Sequence, residues 1–193
     1  TLGSTSRRTL HLQFAELVET QSGVTAANIL EYLDRPYSSI TPAVFPSDRV
    51  FDLAYHFFMA EDSRALAYQF MAGELSYQSY ASEEAIQYFN RVQSLLSNES
   101  KALRARLWHR LAVSSYRIHD YQASLSQFEQ VIQIAASDFD RAVAFAGIGA
   151  SRQSLTQYEL ATKYHDLALT TIDAPRPTGF RAYCRAAILA VKL

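Results

Sequence analysis

Cysteine, glycine and proline are all scarce in this chain of 193 residues. The single cysteine, Cys184, cannot close an internal disulfide, which argues against a disulfide-stapled secreted domain and favours a reducing, cytoplasmic compartment. The five prolines cluster in the segments PYSSITPAVFPSD (residues 36–48) and DAPRPTG (residues 173–179). Because proline breaks helices, the long stretch between these segments is free to be helical.

Net charge and long apolar runs are also lacking. A formal net charge of -1 and a pI near 6.5 give no field that would gather phosphates or an anionic membrane surface. No run approaches the roughly 18 apolar residues that a membrane-spanning helix needs. We therefore expect neither nucleic acid nor a membrane as a direct partner. A hydrophobic content of 49% with 19% charged residues does provide for a sizeable core.

Apolar side chains recur every three to four residues along most of the chain, and no convincing strand alternation is present. This periodicity predicts ten helices, near Ser6–Thr20, Thr25–Leu33, Asp48–Ala60, Ser63–Tyr80, Ser82–Leu96, Ser100–Ile118, Tyr121–Ala135, Asp138–Leu155, Tyr158–Ile172 and Thr178–Leu193. The predicted fold class is all-α, an α-α superhelix of antiparallel helical hairpins.

Three segments repeat one pattern: MAGELSYQSYASEEAIQYFNRVQSL, LAVSSYRIHDYQASLSQFEQVIQI and IGASRQSLTQYELATKYHDLALTTI. In each, a small residue of the first helix is followed by a small residue of the second helix, and then by a bulky one. These three positions are Gly73, Ala85 and Phe89; Ala112, Ser124 and Phe128; and Gly149, Ala161 and His165. Small side chains let two helices approach closely while the bulky residue fills the groove beside them.

The second copy, WHRLAVSSYRIHDYQASLSQFEQVI, resembles a tetratricopeptide motif at most of its signature positions. The small residues of the second helices recur after 39 and 37 residues, which is longer than the usual 34. We expect hairpins at about 63–98, 100–136 and 138–173, with a truncated fourth beginning at 178. Together they make residues 61–193 a tetratricopeptide-like repeat region, and an ordinary bundle with coincidental small residues is the alternative.

The layout also resembles the helical-repeat region that follows the nucleotide-binding module of AAA- and STAND-type signalling ATPases, including MalT-like regulators and kinase- or adenylyl-cyclase-linked ATPases. The resemblance rests on SRRTLHLQFAELVET and on FDLAYHFFMAEDSRALAYQFMAGELSYQSYASEEAIQYFNRV. Matching positions in the second segment are Ala54, His56, Phe57, Ala60, Ala65, Tyr68, Ala72, Gly73, Ala85 and Phe89. It implies that residues 1–60 link to an upstream module and that the chain is a piece of a longer protein. No phosphate loop occurs in the sequence itself.

No constellation of catalytic or metal-ligating residues is apparent in the sequence. The five histidines have no second histidine three or four positions away, and no serine lies in a Gly-x-Ser-x-Gly elbow. Paired carboxylates such as Glu83 and Glu84 are better explained as charges at a helix start. We therefore predict no catalysis, no metal and no cofactor in this chain.

The resemblance implies that the first helix of each hairpin lines a concave groove. The residues expected to bind a partner there are Phe70, Glu74, Tyr77, Gln78, Arg106, His109, Tyr116, Arg117 and Gln153. Aromatic side chains beside arginine dominate many recognition surfaces, although a merely solvated face is the simpler interpretation of the arginines. The leading hypothesis is a scaffold that binds a protein or peptide, or the ATPase module of the parent protein. The alternative is a small-molecule inducer sensor of the MalT-like kind.

Overall fold

A computed structural model describes residues 3–34, 47–96 and 100–173. Within these ranges the regular secondary structure is α-helical, and turns join the helices. The helices are α1 (Ser4–Ser22), α2 (Ala26–Leu33), α3 (Ser47–Met59), α4 (Ala65–Gln78), α5 (Ser82–Leu95), α6 (Lys101–Arg117), α7 (Tyr121–Ile134), α8 (Asp138–Ser154) and α9 (Tyr158–Thr171). Helix α4 packs against α3 and α5, and α6, α7, α8 and α9 each pack against the next helix in sequence, so the predicted all-α array of helical hairpins is confirmed. The tenth predicted helix lies outside the described residues.

The helices fall into two compact units. Unit 1 comprises residues 1–100 and contains α1–α5, and unit 2 comprises residues 101–193 and contains α6–α9. The predicted boundary after residue 60 concerns a link to an upstream module and stays a prediction. None of the helices in the described ranges combines the length and the hydropathy that crossing a bilayer requires.

The same turn follows the first helix of each predicted hairpin. Tyr80, His119 and Thr156 all have positive φ, between 60° and 66°, directly after α4, α6 and α8. The backbone N–H of the residue after each one donates back across the turn to a helix carbonyl, at 2.9 Å in all three cases. This hydrogen bond is characteristic of an α-helix C-terminus that is followed by a residue in the left-handed conformation. These three residues are 39 and 37 apart in sequence, the two spacings found between the repeated small residues.

Close helix crossings occur at the predicted small residues. A Cβ atom added to Gly73 would lie 2.5 Å from the ring of Phe89, and one added to Gly149 would lie 2.5 Å from the ring of His165. Phe89 is fully buried, and burial lowers the pKa of His165 below its ordinary value. The first and third copies therefore use the predicted pairing of a glycine with the bulky residue sixteen positions later.

A further close crossing lies between hairpins, and the sequence pattern did not reveal it. The ring of Phe128 on α7 lies against Gly147 on α8, where an added Cβ atom would be 2.2 Å from Phe128 Cζ. The sequence pattern pairs Phe128 with Ala112 on α6, and both residues are buried. Phe128 thus also packs against α8, the helix that follows. This contact explains why a glycine occupies position 147, two residues before the predicted small residue Gly149.

A cluster of charges attaches α1 to the start of α4 in unit 1. The guanidinium of Arg64 bonds to Glu16 and Glu19 at 3.0 Å and to Asp62 at 2.9 Å, and it lies 4.4 Å from the centre of the Phe57 ring. Tyr68 donates its hydroxyl proton to Glu19 at 2.6 Å. The hydrogen bond from Arg64 lowers the pKa of Asp62, and burial together with Glu19 raises the pKa of Tyr68.

Replacing Arg64 with methionine is expected to lower the free energy of unfolding by about 1–3 kcal/mol, because the partly buried Glu19 loses its cation. Arg8→Met is the matched control, since Arg8 pairs with Glu61 through two largely exposed side chains and should cost at most about 1 kcal/mol. Urea unfolding of both variants measures the difference. Equal losses would show that the Arg64 cluster contributes no more than a surface ion pair.

Candidate functional site

Most of the predicted groove residues are buried in the structure. Five of the nine are less than 7% exposed: Phe70, Glu74 and Tyr77 in unit 1, and Arg106 and His109 in unit 2. Their helices explain this placement, because α4 and α6 are covered on several sides and present long runs of buried residues. Side chains in such positions pack within the helical layers. The accessible part of the predicted surface is therefore confined to Gln78, Tyr116, Arg117 and Gln153.

His109 illustrates what this burial does to a titratable group. Its ring packs edge-on against Phe128, with 5.8 Å between the ring centres. Burial, followed by the nearby positive charges of Arg110 and Arg117, lowers the pKa of His109 to about 3. The imidazole is consequently neutral at physiological pH and serves as part of the core.

Three of the four accessible residues lie close to one end of unit 2, at the C-terminal ends of α6 and α8. Here Tyr116 is part of a group that we name the tyrosine cluster, made of Tyr116, Arg117, His119, Tyr121 and Ser154. The rings of Tyr116 and Tyr121 lie 5.4 Å apart, and the Tyr116 hydroxyl is 3.2 Å from Ser154 Oγ. His119 Nδ1 lies 2.8 Å from the hydroxyl of Tyr121.

The hairpin turn creates this cluster. His119 occupies the left-handed position at φ 66°, which reverses the chain after α6 and brings Tyr121, the first residue of α7, back beside Tyr116. The Asp120 side chain accepts a hydrogen bond from the backbone of Ala123 at 3.0 Å and begins α7 there. The result is a partly exposed aromatic surface held by hydrogen bonds, and Arg117 follows Tyr116 directly in the chain. The predicted groove includes Tyr116 and Arg117 but not His119 or Ser154, because His119 follows the first helix and Ser154 comes from the next hairpin.

Two histidines that are isolated in sequence are neighbours in space. His11 on α1 and His56 on α3 face each other with 2.8 Å between their Nδ1 atoms. Burial and then the charge of His11 lower the pKa of His56, whereas Asp52 opposes the change. This distance fits a hydrogen bond in which the Nδ1–H of one ring donates to the unprotonated Nδ1 of the other. Among the described residues, no three histidine, cysteine, aspartate or glutamate side chains come together as a metal site would need.

No family model matches the sequence, and no curated protein is similar to it. The geometry of the chain itself therefore has to support any functional assignment.

Proposed function

We propose that this chain is a tetratricopeptide-like scaffold that binds a protein or peptide partner and carries out no catalysis itself. The observation that carries the proposal is the tyrosine cluster. It places two tyrosine rings, an arginine and a histidine on an accessible hairpin end, and the hydrogen bonds to Ser154 and within the turn hold it in place. Tyrosine and arginine are, with tryptophan, the side chains enriched at the hot spots of protein interfaces.

We further propose that the chain is part of a larger regulatory protein. The resemblance to helical repeats of AAA- and STAND-type signalling ATPases supports a regulatory role in a larger cytoplasmic protein, whose own ATPase module would be one candidate partner. The modest net charge of the chain supports a protein partner over nucleic acid. No described side-chain group suggests a cofactor.

Affinity capture with the tagged chain, followed by titration of the recovered protein, tests the proposal. Tyr116→Ala and Arg117→Ala are each expected to weaken binding at least about tenfold, as truncation of interface hot spots does. Tyr164→Ala is the matched control: this tyrosine is also partly exposed in unit 2, but its ring packs against Phe145, in the first half of α8. The control should bind as the unmodified chain does.

Two results would contradict the proposal. The first is a partner whose affinity is indifferent to both changes in the tyrosine cluster. The second is a thermal-shift screen in which a sugar or nucleotide raises the melting temperature while no protein binds, which would favour the inducer-sensing alternative.

A further inference from the structure

Helix α1 carries a row of partly exposed apolar residues beside the face that packs on unit 1. Leu10, Phe14 and Leu17 form this row, and the exposed Gln21 continues it; we name these four residues the α1 seam. Tyr55 and Met59 of α3 expose comparable apolar surface. His11 and His56 join the two helices here, because the His11 ring lies 5.6 Å from Tyr55 and the His56 ring lies 4.4 Å from Phe14.

The amount of exposed apolar surface in this region is large. The five apolar side chains of this region, Leu10, Phe14, Leu17, Tyr55 and Met59, are each between 43% and 57% exposed. Together they leave on the order of 500 Å² of apolar surface, which is near the top of the range for the largest patch on a monomeric protein. The apolar face of α1 therefore indicates that something packs on it.

The spacing along the seam indicates the kind of occupant. Positions 10, 14, 17 and 21 are separated by four, three and four residues, the spacing of the a and d positions in a coiled coil. The core-facing residues Ala15 and Val18 lie off this row, and Glu16 and Glu19 are directed to Arg64. A narrow row with this spacing fits one helix, which packs along the full length of α1.

The seam is complementary to itself. Its four-three-four spacing is the same in both directions, so a second α1 helix running antiparallel can match it residue by residue. Phe14 then meets Leu17 of the second copy, and Leu10 meets Gln21, each contact occurring twice by the twofold symmetry. The residues flanking the open side of the row are Ser6, Gln13 and Thr20, so no like charges are brought together there. A parallel pair would instead place Arg7 beside Arg7.

We propose that two copies of this chain associate through antiparallel pairing of their α1 seams, with Tyr55 and Met59 at the edge of the contact. Two apolar faces of this size bury on the order of 1,000 Å² in total, which is at the lower end of specific interfaces. The dimer is accordingly weak, with a dissociation constant in the micromolar range. This interface is separate from the tyrosine cluster and leaves it accessible to another partner.

Sedimentation velocity over a concentration series from about 1 to 500 μM tests the association. The unmodified chain should shift from monomer to dimer across this range. Leu17→Glu, which places a charge in the seam at an exposed position, should raise the dissociation constant at least tenfold. Leu160→Glu is the matched control on α9, where a leucine is 42% exposed and lies outside the seam, and it should dimerise normally.

Cysteine trapping tests the register and the direction of the helices in a Cys184→Ser background. The double variant Leu10→Cys/Gln21→Cys should form a disulfide-linked dimer under mild oxidation. The single variant Leu10→Cys should not, because in the antiparallel pair its two copies are about 16 Å apart along the helix axis. A monomer at every concentration would overturn the proposal and leave the face to a different protein. Efficient linkage of Leu10→Cys alone, or dimers insensitive to Leu17→Glu, would equally overturn it.

Discussion

Gly147→Ala is expected to destabilise the protein by about 1–3 kcal/mol, although alanine is normally the better helix former by about 1 kcal/mol. The reason is the ring of Phe128, which comes within 2.2 Å of the position of the new Cβ atom and is almost fully buried, so that it cannot move without disturbing the packing between α7 and α8. Urea unfolding measures the change, and its sign separates the steric effect from helix propensity.

A second substitution tests the cause. Phe128→Leu removes the far end of the ring, so the double variant Gly147→Ala/Phe128→Leu should be destabilised by less than the sum of its single variants. Gly3→Ala serves as the control, since nothing lies within 4 Å of its new methyl group and the change should stay within about 0.5 kcal/mol. Additive losses in the double variant would mean that the contact seen here does not limit the packing.

Acid is expected to destabilise the protein through His109. This histidine has its pKa lowered from 6.5 to about 3 by burial, so between these values the unfolded chain binds a proton that the folded chain does not. Unfolding therefore becomes more favourable as the pH falls, by about 1.4 kcal/mol per pH unit for one such group. From pH 6.5 to pH 5 the loss from His109 alone is about 2 kcal/mol. His56 and His165, whose pKa values are also lowered, act in the same direction.

Comparison with His109→Gln isolates this contribution. Glutamine does not titrate, so the variant should lose less stability than the unmodified protein between pH 7 and pH 5, whatever its stability at pH 7. Nuclear magnetic resonance gives an independent measurement, because the ring carbons of His109 should keep the chemical shifts of neutral imidazole down to pH 5. A ring that protonates near pH 6.5 in the folded protein would contradict the buried placement.

The sequence predicted the helices well because each one carries its own local information. Tyr121, for example, begins α7 in both the prediction and the structure, since the preceding Asp120 is a strong N-cap residue. The repeated small residues were predictive for the same reason. A glycine facing a bulky residue within one hairpin depends on only about sixteen residues of chain, and Gly73 and Phe89 follow this rule.

The proposed binding surface is harder to predict, because accessibility depends on what covers a helix. The predicted groove includes Glu74 and Arg106, whereas their side chains are buried. Spacing within one helix identifies a face but not the helices that pack on it. The pairing of His11 with His56 was missed for a similar reason: their 45-residue separation carries no local pattern that would bring them together.

The order of the contacts in unit 2 has a kinetic consequence. Each described helix there packs mainly against the next one in sequence, from α6 to α7, α7 to α8 and α8 to α9. Few long loops have to be closed before contacts form, and chains with such low contact order fold in microseconds to milliseconds. A hairpin of unit 2 can therefore acquire its structure while the chain is still leaving the ribosome, before residues far downstream have been synthesised.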